Sequence, residues 1–468
     1  MVFSSLTFLF VFLPIVLLIY YISPRPLKNF VILLFSLIFY AWGEPKFIFL
    51  IILSILINYI GALQIVKNSS DTEKRKFIFI TLLLIDISIL FFFKYYGFII
   101  SSIGSLFGID LVIRDIPLPL GISFYTFQQI SYIIDVYTKK TKVQKNLINF
   151  GAYITMFPQL IAGPIVKYND IEGQLKNRNE NLTQFSSGVH RFIIGLGKKV
   201  LLANSIGAIW SEIKVIPLNE ISILTSWIGI IAFALQIYFD FSGYSDMAIG
   251  LAKMFGFEFL ENFNYPYISK SVTEFWRRWH ISVGTWFREY LYIPLGGNKK
   301  GNLIQIRNLF VVWFTTGLWH GASFNFIAWG IYFGVILFIE KIIFKNILNK
   351  LPSFLCHIYT LILVLIGWVI FDMNTLSSAM EYISIMFGLS NNLVVDKLSL
   401  FILSNNIVIL LIGIICSTTL LPNVFKKLRS SLKKSNIFII ISMYLIIFIL
   451  SISYLVGESF NPFLYFRF

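Results

Sequence analysis

Apolar runs of membrane-crossing length alternate with short polar connections along almost the whole chain. The runs cover residues 6–22, 30–42, 47–66, 77–100, 118–137, 148–165, 187–212, 222–242, 307–322, 324–341, 356–372, 403–421 and 437–455. A helix needs roughly 20 mostly apolar residues to span a bilayer. Several runs fall short of that, notably 30–42 and the pair on either side of residue 323. Short or glycine-interrupted runs predict broken or re-entrant helices, which are tolerated where protein or a cavity covers the freed backbone. The turn Met156–Tyr168, with Pro158, Gly163 and Pro164, reads as such an irregular segment. The pattern predicts an all-α, polytopic membrane helical bundle. It would form one embedded domain over residues 1–468 with about 11–13 membrane segments, re-entrant ones included.

Composition strengthens this reading. Of 468 residues, 57% are hydrophobic and 13% charged, and that charged share is about half of what a soluble domain carries. Too few charges are present to coat a soluble surface, so lipid replaces water around most of the chain. Residues 1–21 lack a positive leader and a small-residue cleavage pattern, and are expected to be a retained first span. The Asn/Lys-rich stretch 167–181 reads as an ordinary loop, and no region is long and polar enough for a separate soluble domain.

A formal net charge of +15 raises the question of nucleic acid, but the basic residues fall in connections between apolar runs. They cluster at Lys67 with Lys74, Arg75 and Lys76; at Lys139, Lys140, Lys142 and Lys145; at Lys299, Lys300 and Arg307; at Lys341, Lys345 and Lys350; and at Lys426, Lys427, Arg429 and Lys433. That distribution reflects topology and anionic lipid, not a nucleic-acid face. Placing every cluster in the cytoplasm puts both chain ends outside and makes 373–402 an external connection. Span counting does not order the middle, 148–300. Cys356 and Cys416 lie in separate apolar runs and suggest neither a disulfide nor a metal site.

The densest mixture of aromatic and charged groups lies between Asn264 and Asn302. There Trp276, Trp279, Val283, Trp286 or Phe287, and Tyr290 recur at helical spacing, predicting one amphipathic helix. Glu274 and Arg278 are four apart and can pair along it. Such a helix can lie in the interface with its arginines on lipid phosphates. It can equally form the mouth for an anionic, phosphate-bearing donor, with Arg277, Arg278 and Arg288 supplying guanidinium forks. Gly296, Gly297 and Gly301 complete neither a Walker nor a dinucleotide fingerprint.

A second polar cluster interrupts the run near 240, with Gln236, Asp240, Ser242, Tyr244, Ser245 and Asp246. Gly243 is expected to bend or break the helix there. Asp240 and Asp246 can hold a cation, orient a substrate or proton-carrying group, satisfy broken-helix backbone, or pair with arginines inside the bundle. Two carboxylates do not define a coordination shell, so no metal is expected.

Only four histidines occur. His190 and His357 start apolar runs and read as interfacial or structural. His280 is either a satisfied polar member of the amphipathic helix or part of the chemistry. His320 sits between two apolar runs beside Trp319, and intramembrane titratable groups are functional candidates by default. Gly317 and Gly321 allow close backbone approach, which suits a narrow tunnel or simple helix packing. Histidine's reference pKa, about 6.5, suits it to accept a hydroxyl proton near neutral pH.

Several stretches carry a resemblance: MVFSSLTFLFVFLP at Met1, PLPLGISFYTFQQISYIIDVY at Pro117, FPQLIAGPIVKY at Phe157, YFDFSGYSDMAIGLAKMFGF, FWRRWHISVGTWFREYLYIPLGGNKKG and GLWHGASFNFIAWG at Gly317. On these the chain resembles the membrane-bound O-acyltransferase family. More narrowly, it resembles the branch containing the membrane subunits of bacterial alginate and peptidoglycan O-acetylation. They cover the first 340 residues, while the C-terminal third is similar mainly in hydropathy.

The resemblance implies a multi-pass protein of the bacterial cytoplasmic membrane with a central tunnel. It implies that His320 is the active-site base and that His280 assists. It implies acetyl transfer from a cytoplasmic thioester, acetyl-CoA as donor substrate, without a tightly bound cofactor. It also implies an extracytoplasmic partner of the SGNH, esterase-like class that completes transfer to an envelope sugar. Relatives often carry an arginine after the phenylalanine of the late tryptophan-containing helix, where this chain has Asp372. The teichoic-acid D-alanylation branch is a close rival. Outside the family, a transporter of acyl donor or lipid-linked sugar and a non-catalytic scaffold also fit the residues.

Overall fold

The computed structural model describes residues 1–109, 111–112, 114, 116–299, 301–431, 437–457 and 464. Lys300 and Lys433, and the side chains of Lys345, Lys426 and Arg429, lie outside the described residues. Among the described residues every regular element is helical, as a chain surrounded by hydrocarbon requires, because only a helix satisfies its own backbone. Nine of these helices are long and apolar enough to cross a membrane. The chain is a multi-pass membrane protein of all-α class. It divides into two compact units, one formed by Met1–Phe192 with Met247–Leu260, the other by Ile193–Asp246 with Glu261–Phe468.

In the first unit the run 30–42 reaches crossing length because a short turn at Arg25–Leu27 extends Lys28–Gly43 to a 19-residue segment. The run 77–100 becomes the longest helix, Thr72–Phe107. Asp71 caps its start by accepting from the Lys74 amide at 2.9 Å, and Gly108 closes it at φ +64°. The segment 148–165 breaks as expected. Leu147–Thr155 ends at Met156, and the four-residue helix Phe157–Leu160 follows. The amide freed at Phe157 donates to Ser36 Oγ at 3.0 Å, so that buried donor is satisfied across the break. Around it Phe3, Phe8, Phe12, Phe39 and Phe157 pack with ring centroids 5.0–6.4 Å apart. Two buried polar pairs tie helices together, Ser54 with Gln129 at 2.7 Å and Asn58 with Asp86 at 2.8 Å.

The second unit carries the histidines of the aromatic stretch and the glycine-rich hairpin. Two expectations are corrected there. Gly243 neither bends nor breaks its helix, because Ile223–Met254 runs unbroken for 32 residues. A Cβ at Gly243 would lie 2.8 Å from the Gly195 carbonyl and 3.0 Å from the Lys199 amide. The glycine serves backbone-to-backbone approach of two helices. The aromatic stretch is likewise not one amphipathic helix. It is Val272–Arg278, a break at Trp279–His280, then Ile281–Phe287 running into a wider turn at Arg288–Tyr292.

Asn302–His320 and Phe324–Ile339 form a helical hairpin whose two strands of backbone touch. A Cβ on Gly317 would collide with the Phe326 carbonyl, and one on Gly330 with the Trp313 carbonyl. Gly317→Val therefore forces the hairpin apart, at a cost of about 1–3 kcal/mol. The expected result is a lower melting temperature of the detergent-solubilised protein; an unchanged one would show that the hairpin yields freely. Behind this contact Trp276, Trp313, Trp329, Phe333 and Trp368 form the aromatic core of the unit.

Candidate active site

Val272–Arg278 begins at a built cap. Ser271 Oγ accepts from the Glu274 amide at 3.0 Å, and the buried Glu340 carboxylate accepts from the Val272 and Thr273 amides at 2.7 and 2.8 Å. A carboxylate at a helix N-terminus meets the positive end of the helix dipole. The helix stops after Arg278, and His280 takes the left-handed conformation at φ +46°, ψ +53°. Few residues other than glycine adopt it, and those that do are held by their surroundings.

The holder is Asn262. Its backbone carbonyl accepts from the Ile281 amide at 2.9 Å. Its side-chain Oδ1 lies 3.1 Å from the Ser282 amide, 2.9 Å from Ser282 Oγ and 3.2 Å from His280 Nδ1. His280 is buried against Phe241, Phe263 and Trp319, with centroids 5.3, 6.1 and 6.0 Å away. Burial pushes its imidazole down to about 3, because a desolvated ring resists charge. It is neutral throughout the physiological range.

His320 is the last residue of its helix and is half-buried. Trp319, Trp329 and Phe371 surround its ring with centroids at 5.0, 4.9 and 5.2 Å, and Phe326 stacks at 6.5 Å. Trp319 thus lies between the two histidines.

Both histidines line one cavity of about 1280 Å³. Arg277 and Arg288 line it as well, with exposed side chains. Trp276 also lines it, and its indole N–H is buried without a hydrogen-bonding partner among the described residues. Arg278 is turned elsewhere: it pairs with Glu274 at 2.8 Å and donates to the Asn264 carbonyl at 3.1 Å. Asp240 and Asp246 do not line the cavity. Lys199 Nζ sits 2.7 Å from Asp240, with both side chains buried, and Lys198 sits 2.7 Å from Asp246. His357 bonds through Nδ1 to the Ser269 carbonyl at 3.0 Å, and His190 is half-buried on Leu182–Gly197.

The sequence model of the membrane-bound O-acyltransferase family matches residues 139–382, a span that includes both histidines, the three arginines, Trp319 and both aspartates. The chain belongs to this family. It is 44% identical over 392 residues to the "probable alginate O-acetylase" of Pseudomonas aeruginosa, covering 83% of this chain and 75% of that protein. It is 33% identical to the peptidoglycan O-acetyltransferase of Helicobacter pylori, over 83% and 80% of the two chains. To the teichoic acid D-alanyltransferase of Bacillus subtilis it is 30% identical, over 47% and 60%. The protein is a membrane-bound acyltransferase.

Two features of this acyltransferase's site were not singled out in the sequence, and for a third, Asp372, only its departure from relatives was noted, not its partners. Asn262 lies just ahead of the aromatic stretch, and that place was the one signal available for it. Glu340 is an acid at the end of an apolar run, which is costly in a membrane unless satisfied; that cost was the available signal. The third is the clamp at Asp372. It accepts from Trp210 Nε1 at 2.8 Å and pairs with Lys214 at 2.7 Å, next to the Phe371 ring that packs on His320.

Proposed function

We propose that this membrane-bound O-acyltransferase moves an acetyl group from a cytoplasmic thioester, acetyl-CoA, towards a hydroxyl acceptor for O-acetylation of an envelope polysaccharide of the alginate type or of peptidoglycan. An extracytoplasmic, esterase-like partner completes delivery to the sugar. The observation that carries the reading is the shared cavity: His280 at a helix break and His320 at a helix end line one space together with the exposed Arg277 and Arg288.

The chemistry follows from that lining. His320 takes the proton of the acceptor hydroxyl as its oxygen attacks the thioester carbonyl. The carbon–sulfur bond breaks, and the leaving thiolate takes the proton back from the imidazolium. Neutral His280 contributes a lone pair, not a cation. Arg277 and Arg288 suit the phosphates of the donor, since guanidinium groups bind phosphate oxygens in pairs. Acetyl transfer is favoured over D-alanyl transfer by the higher identity and wider coverage of the O-acetylating relatives.

Purified protein incubated with labelled acetyl-CoA and native envelope fragments is expected to release free thiol and label the fragments. Binding of donor without thiol release would instead support a transporter. The doubly substituted Arg277→Ala, Arg288→Ala protein is expected to show a donor KM raised roughly tenfold with kcat little changed, the mark of lost ground-state binding. A normal KM would remove the arginines from the donor site.

A further inference from the structure

We propose that Asn262 is a positioning residue that fixes His280 as its Nδ1–H tautomer and so reserves the Nε2 lone pair for the acyl-transfer reaction. The proposal rests on the reading of His280 as part of that site and assigns how it takes part.

The hydrogen-bond geometry leaves one solution. The Ser282 backbone amide can only donate, and it points at Asn262 Oδ1 at 3.1 Å. The asparagine must therefore present its oxygen there, because the flipped amide would set two donors face to face. That same oxygen lies 3.2 Å from His280 Nδ1. An oxygen acceptor requires Nδ1 to carry the proton. In a neutral imidazole the other nitrogen is then the acceptor.

His280 Nε2 is buried and has no hydrogen-bonding partner among the described residues. A buried acceptor without a partner is costly, about 1–3 kcal/mol, and because His280 is one of the residues around the cavity, a donor brought in with substrate that reaches Nε2 relieves that cost. The donor that fits is a substrate N–H or O–H other than the attacking hydroxyl, whose one proton goes to His320. Asn262 is itself almost fully buried, and it holds the turn at three points: Ile281, Ser282 and the His280 ring. The Ile281 contact is made by the Asn262 backbone, while those to Ser282 and the ring come from its side chain, on which the ring tautomer depends. Outer residues that orient a catalytic imidazole typically change activity by about 10–100-fold when replaced.

The test uses the full chain in native membrane vesicles, reading thiol release from labelled acetyl-CoA. Asn262→Ala is expected to lower kcat by about 10–100-fold with donor KM within about twofold, since donor contacts are untouched. In Asn262→Ala, His280→Ala the loss is expected to equal that of His280→Ala alone, because residues acting as one unit are not additive. Asn262→Asp keeps the acceptor oxygen and adds a negative charge beside Nδ1–H. It is expected to retain most of the turnover while moving the acid limb of the pH–rate profile to higher pH, because the carboxylate favours the imidazolium.

Wild-type turnover in Asn262→Ala, multiplicative losses in the double variant, or an Asn262→Asp profile identical to wild type would each overturn the proposal. Should Asn262→Ala fail to insert, the Asn262→Asp profile decides by itself. Wild-type turnover in His280→Ala would instead sink the reading of His280, whatever Asn262 does.

Discussion

His320→Ala is expected to abolish acetyl transfer while leaving the protein inserted and folded. Removal of a positioned general base costs about 10²–10⁴-fold in rate. Neutral His280 is a weaker base, its ring pushed down to about 3 by burial. The structural cost of the substitution is small by comparison. His320 is half-buried at a helix end, and the hairpin is held by the backbone contact at Gly317 and Gly330, not by the imidazole. The check is envelope O-acetate measured by mass analysis in cells with matched levels of membrane-inserted protein. Normal acetate in His320→Ala would end the catalytic assignment. Loss of the protein from the membrane would assign the residue to packing, and His320→Gln, closer in size, then separates the two roles.

The second large effect concerns the aspartate nearest the centre of its helix. Asp240→Ala or Lys199→Ala is expected to destabilise the fold by about 3–5 kcal/mol, since either change leaves an uncompensated buried charge. Both side chains are almost wholly buried, at 1% and 3% exposure, and their charged atoms lie 2.7 Å apart. Asp240 also accepts from the Leu464 amide at 2.8 Å. Replacing the pair together by leucine and methionine removes both charges and is expected to recover most of that loss. Melting temperature and the yield of monodisperse protein in detergent measure both effects. If Asp240→Ala keeps its stability and loses thiol release, the carboxylate belongs to the reaction after all.

Parts of the site were legible from local pattern. The apolar runs marked the long helices because hydropathy is a property of each segment. Histidines 280 and 320 stood out as titratable groups in surroundings that penalise charge, and they line a common cavity. Arg277, Arg278 and Arg288 looked equivalent on the page of the sequence. Only Arg277 and Arg288 line the cavity, because Glu274, one helical turn back, takes Arg278. Helical spacing of aromatic residues suggested continuity through His280, where the fold has a left-handed turn. The residue that enforces the turn is 18 positions away, beyond the reach of periodicity. At Gly243 the usual rule that glycine interrupts a helix failed, since the glycine answers to a facing backbone.

The sequence by itself determined that this chain lives in lipid, that it is helical throughout its regular elements, and which rare titratable residues could do chemistry there. Those conclusions need only hydropathy, run length and the cost of charge in hydrocarbon. Tertiary structure alone decided which polar groups satisfy one another and which face open space. Lys199 closes on Asp240 and Lys214 on Asp372, while His280 keeps one nitrogen unpartnered. The reason is physical: a buried polar atom is settled by whatever lies within hydrogen-bond reach, and those neighbours come from distant parts of the chain.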